Sequence, residues 1–149
     1  MKKGLIALAA LAMLSSCGGS DDDKAPVILQ DVTPIVSGMK SGTWRVTDYR
    51  DNGDDETNHF TGFNFTFANG NVLTASDGVE TFTGAWTITN FKTDDDTPNN
   101  NVDFNIFFSA PADFEDISDD WDIVSSTATK IVLTDNGSSG TDSLTLEKN

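Results

Sequence analysis

Phe63-Asn64-Phe65-Thr66-Phe67-Ala68-Asn69-Gly70-Asn71-Val72-Leu73-Thr74-Ala75-Ser76 is the stretch from which the fold is read. Phe63, Phe65 and Phe67 occupy alternate positions, so in an extended chain their rings point to one side and Asn64 and Thr66 to the other. That pattern predicts a strand with one buried and one wet face. Asn69-Gly70-Asn71 supplies residues that tolerate positive φ, and Asn71 opens a second run of strand-forming residues. Two such runs joined by so short a link predict antiparallel neighbours.

The same period of two continues on both sides. Eight runs are expected to be strands: Gly42–Arg50, Phe60–Ala68, Asn71–Ser76, Val79–Thr89, Val102–Ser109, Trp121–Ser125, Lys130–Asp135 and Ser143–Lys148. Their apolar faces carry Trp44 and Val46 in the first, Val102, Phe104, Ile106 and Phe108 in the fifth, Ile131 and Leu133 in the seventh, and Leu144 and Leu146 in the last. Asp77-Gly78 marks another tight turn, and Asn136-Gly137-Ser138-Ser139-Gly140 a looser one. Longer links fall at Asp51–His59 and Asn90–Asn101. Ala112–Ser118, following Pro111, reads as one helical turn. The expected fold is all-β, an eight-stranded up-and-down antiparallel barrel whose closure removes exposed edges. A β-sandwich of similar strand count is the alternative.

The N-terminus has a different character. Met1-Lys2-Lys3 is followed by an apolar run from Gly4 to Leu14. That run is too short for a bilayer core, which needs about 20 residues, and reads as a signal peptide. Leu14-Ser15-Ser16-Cys17 resembles the bacterial lipobox, which implies cleavage before Cys17 and a diacylglyceryl group on its sulfur. The expected organisation is a signal peptide over 1–16, a lipidated Cys17 with a flexible acidic tether over 17–40, and a barrel over 41–149. Pro26 and Pro34 interrupt the stretch from Ala25 to Met39, read as a linker with one short helix or a strap. Gly18-Gly19-Ser20-Asp21-Asp22-Asp23 also resembles the acidic export signal of Bacteroidetes-type surface lipoproteins. The resemblance implies an outer-membrane protein exposed at the cell surface, with the periplasmic face as the alternative. The expected partner is therefore the membrane, through acyl chains that contribute about 0.8 kcal/mol per buried CH₂.

Charge narrows the function classes. The chain carries a net charge of −15. Loss of Lys2 and Lys3 with the signal peptide leaves seven basic side chains against 24 acidic ones, a net charge of −17. Phosphate backbones are repelled, so no nucleic-acid partner is expected. One cysteine among 149 residues allows no intramolecular disulfide.

Gly42-Thr43-Trp44 at the opening of the first strand resembles the Gly-x-Trp of lipocalin-like proteins. Asp54-Asp55-Glu56, Phe65-Thr66-Phe67, Asn69-Gly70, Gly84-Ala85-Trp86 and the Trp121 region follow in the order seen in small lipocalin-like lipoproteins of the Bacteroidetes type. The resemblance covers about residues 40–149. It implies a barrel with Trp44 near its closed end, and it implies no settled activity. About 110 domain residues and no clear C-terminal helix set the chain apart from true lipocalins.

No catalytic residues are expected and the chain is read as no enzyme. His59 is the sole histidine, and neither Gly-x-Ser-x-Gly nor His-Glu-x-x-His occurs. No cofactor and no dedicated metal site are expected. Residues 51–56 and Asp94-Asp95-Asp96 offer oxygen ligands for Ca²⁺ but lack the EF-hand spacing. The remaining candidate is a small hydrophobic ligand. Trp44, Val46, Phe63, Phe65, Phe67, Phe104, Ile106 and Phe108 are either the lining of an apolar cavity or simply the core. Two readings stand: a surface-anchored carrier of a small apolar ligand, and an interaction lipoprotein with a filled barrel. Oligomeric state is not legible.

Overall fold

The computed structural model of the chain describes residues 31–90, 102–138 and 140–149. Alternation becomes burial where the sequence said it would: Phe65 and Phe67 are buried, while Asn64 and Thr66 between and beside them are exposed. Nine strands form among the described residues: β1 (Trp44–Asp51), β2 (Asp54–Asp55), β3 (Asn64–Phe67), β4 (Val72–Ser76), β5 (Thr81–Thr89), β6 (Asp103–Phe107), β7 (Asp120–Ser126), β8 (Lys130–Asn136) and β9 (Thr141–Lys148). All pairings are antiparallel, and sheet order follows chain order except that β2 lies outside β1. The sheet closes on itself where β9 pairs β1, with Trp44 opposite Lys148 and Arg50 opposite Ser143. The fold is thus an eight-stranded up-and-down barrel plus the two-residue β2, and not a sandwich of two sheets.

The strand limits shift for local reasons. The expected run Phe60–Ala68 contracts to β3 because Thr57–Phe60 forms a 3₁₀ turn and Gly62 takes φ of 90°. A non-glycine residue would be strained there. The link Asp51–His59 holds β2, whose Asp54 and Asp55 pair with Asp51 and Arg50. Asn69–Asn71 turns with Gly70 and Asn71 both at positive φ, as the Asn-Gly-Asn signal implied. At the next turn Asp77 accepts hydrogen bonds from the amides of Val79 and Glu80 through Oδ1, an Asx turn.

Two short helices sit at opposite ends. α1 (Thr33–Met39), with Pro34 in its first turn, precedes β1 and realises the short helix expected between residues 25 and 39. It buries Met39 and packs Ile35 and Val36 against the core. α2 (Ala112–Asp116) lies in the β6–β7 link, where the helical turn was expected, and buries Phe114. The antiparallel order places the start of β1 and the end of β9 at one rim, and the β6–β7 link at the other. α1 therefore closes one end and α2 the other. Among the described residues no helix is long and apolar enough to cross a membrane. The signal segment, Cys17, the tether up to Gln30, and Asp94-Asp95-Asp96 lie outside the described residues.

Candidate functional site

The side chains picked out as a candidate ligand lining share one interior. Trp44, Val46, Phe65, Phe67, Phe104, Ile106 and Phe108 are buried in a single cluster, and Phe63 packs against it half-buried. Strand alternation aims them inward, and barrel closure brings β1, β3 and β6 face to face. Trp44 stands at the α1 end, the end its Gly-x-Trp resemblance called closed. Its indole Nε1 donates to the Met39 carbonyl at 2.9 Å, and the Lys148 ammonium lies 5.1 Å from the ring centroid. The hydrogen bond satisfies the one polar atom that burial would otherwise penalise.

Sequence alternation missed the residues that occupy the other end. Phe114 of α2 enters the barrel mouth, its ring centroid 5.0 Å from Phe82, 5.1 Å from Phe63 and from Phe108, 5.4 Å from Phe60 and 5.9 Å from Phe65. These separations are those of packed aromatic pairs. Deeper in, Phe67 meets Trp86 at 5.3 Å and Phe104 at 5.7 Å. The rings of the proposed lining thus lie against one another. Tyr49 ties the plug down: its hydroxyl donates to the Asp116 carbonyl at 2.9 Å. Burial pushes the Tyr49 phenol well above its ordinary value, and the nearby carboxylates of Asp51, Asp142, Asp116 and Glu56 push it the same way. Trp121 adds a further tie, its Nε1 donating to the Ile117 carbonyl at 3.1 Å.

The acidic candidates around β2 are engaged structurally. Asp55 Oδ1 accepts from the Thr57 amide, the Thr57 side chain and then this amide hold its carboxyl below the usual range, and Arg50 lies 3.6 Å from its other oxygen. Asp51 Oδ1 accepts from the Asn52 side chain. His59 Nδ1 sits 3.8 Å from Glu56 and 3.8 Å from Asp113, beyond hydrogen-bond reach of both. Among the described residues no group of His, Cys, Asp and Glu is arranged to hold a metal. Recesses lie on the outside among the described residues. A groove of about 910 Å³ runs between α1 and β7, lined by Pro34, Ile35, Gly38, Val124 and Ser126 among others. A cleft of about 240 Å³ lies beside Trp86, bordered by Lys40, Asn71 and Thr87.

Neither a protein-family model nor a curated protein matches this sequence. A solved structure does: a DUF4847 family protein from Bacteroides vulgatus. It is 18% identical, with 77% of this chain and 97% of that one covered and a TM-score of 0.50. At that identity the likeness is one of fold, a small barrel.

Proposed function

We propose that the chain is a lipid-anchored, non-enzymatic surface protein whose barrel is a filled scaffold and whose working surface is its exterior. The observation that supports this reading is the Phe114 plug. A ring from α2 occupies the mouth through which a carrier barrel would load its ligand, and packs on Phe60, Phe63, Phe65, Phe82 and Phe108. α1 covers the opposite end with Met39 over Trp44. Small eight-stranded barrels can be filled by their own side chains in this way. The anchor belongs to the proposal through Leu14-Ser15-Ser16-Cys17, and the outer face of the outer membrane through the acidic run that follows.

Two measurements test the two halves. In cells grown with an alkyne fatty acid, the chain incorporates the label and fractionates with membranes, and Cys17→Ser abolishes both. Incorporation that survives Cys17→Ser would refute the anchor. Native mass spectrometry of the protein isolated from its own host then shows the mass of the lipidated chain alone. A co-purifying small apolar molecule would overturn the filled scaffold and restore the carrier reading.

A further inference from the structure

The exterior of the barrel is divided by charge. β3, β4 and β5 contain no Asp, Glu, Lys or Arg, in a chain where such residues make up 22%. β6 has one, Asp103, and it is buried. The opposite wall is charged and acidic on balance: β1, β7, β8 and β9 hold seven acidic residues against four basic ones. The outward side chains of the uncharged wall stand in rows across the strands. Thr66 faces Thr74, and Thr74 faces Thr83. The next row is Val72, Ala85 and Phe107, all exposed, Phe107 to 59%. Among the described residues the hydroxyls of Thr66, Thr74 and Thr83 make no side-chain hydrogen bond.

We infer that this wall is a binding face for a neutral polyhydroxylated polymer, an uncharged polysaccharide. Each Thr hydroxyl both donates and accepts, which suits a ligand made of hydroxyl groups. Phe107 offers an exposed apolar ring to the apolar face of a sugar. Within the row the three hydroxyls follow one another at the strand spacing of about 4.8 Å, so they form a short ladder across the strands that an extended polymer can follow. A basic protein partner would be drawn to the acidic wall instead. A second copy fits poorly. A stable protein interface takes about 20–30 residues a side, whereas this row offers three outward apolar side chains, Val72, Ala85 and Phe107, and a second copy would bury the Thr hydroxyls beside them.

The inference deepens the proposed exterior function and rests on it, but its readout is separate. The purified full chain is run in native gels containing dextran, mannan or xylan, with alginate as the acidic control. The expected result is retardation by at least one neutral polysaccharide and none by alginate. Phe107→Ala and Thr83→Lys each weaken the affinity about tenfold without lowering Tm, and Thr83→Ser retains it. Absence of retardation by all three neutral polymers would overturn the inference, as would equal retardation by alginate or binding unchanged in both variants. Sedimentation as a dimer that Phe107→Ala dissociates would assign the wall to a second copy and overturn it too. Failure here leaves the native mass unchanged, whereas a bound apolar molecule there indicts the scaffold itself.

Discussion

Individual residues show where alternation is enough and where it fails. Trp44 and Val46 share a face, and strict alternation would put Asp48 beside them. The structure has Tyr49 there instead, because the register between β1 and β9 slips between Val46 and Asp48. A bulge inserts one residue and inverts the parity beyond it. Nothing in the local sequence of Thr47 announces the slip, so Tyr49 was not legible as core. Its hydroxyl makes a testable contribution. Tyr49→Phe loses the bond to the Asp116 carbonyl and costs about 1 kcal/mol in denaturant melts. The raised phenol pKa also fixes a sign. Its contribution is fully present below the ordinary tyrosine value near 10 and is lost as pH rises past it, so wild type loses stability in alkali faster than Tyr49→Phe.

Two further positions carry predictions. A Cβ added at Gly84 would lie 2.2 Å from the Phe107 carbonyl oxygen and 2.8 Å from the Phe108 ring. The strands approach too closely there for any side chain. Gly84→Ala is expected to destabilise by about 1–3 kcal/mol or more, read as a fall in Tm. Asp135 is the reverse case. Burial raises its carboxyl pKa, and Asp119, Asp142 and Asp122 raise it further. A raised carboxylate favours folding only while protonated, and that gain is lost as pH climbs through its folded value. Asp135→Asn should therefore raise Tm at pH 7, and the difference should vanish below about pH 3. A variant no more stable than wild type at neutral pH would contradict this.

At the scale of elements, seven of the eight expected strand runs kept their limits to within two residues, because one dry face per strand writes itself into the sequence. The exception, Phe60–Ala68, failed at its start: Phe60 belongs to the core but reaches it from a 3₁₀ turn. α1 was read as a short helix or a strap, and α2 only as one helical turn. α2 is five residues long, too short for a 3.6-residue period to show. Its function as a plug depends on a tertiary fact, the convergence of Phe63, Phe65, Phe82 and Phe108 at one rim. Phe114→Ala is expected to cost about 3–5 kcal/mol and to leave a void at that rim. Environment-sensitive apolar dyes should bind the variant and not the wild type. An unchanged dye response alongside unchanged stability would remove the plug from the account. The same dependence explains why eight side chains could be named as inward without telling lining from core. Which of these they become is decided by an element elsewhere in the chain.

For the whole molecule, charge and closure are the governing facts. A net charge of −15 spread over one small barrel repels itself. Raising NaCl from about 10 to 300 mM should therefore raise Tm, since screening shortens the Debye length from about 30 Å to well under 10 Å. A salt-independent Tm would mean that the exposed pairs, such as Lys130 with Glu147 at 3.0 Å, already balance the repulsion. The closing seam has a different consequence. Val46 lies opposite Leu146, so the first long strand waits for the last. Hairpins from β3 to β9 can zip locally, but the cylinder cannot be sealed until synthesis has delivered the residues after Thr141. Until that moment the nascent chain presents two raw sheet margins, and it locks only when they meet.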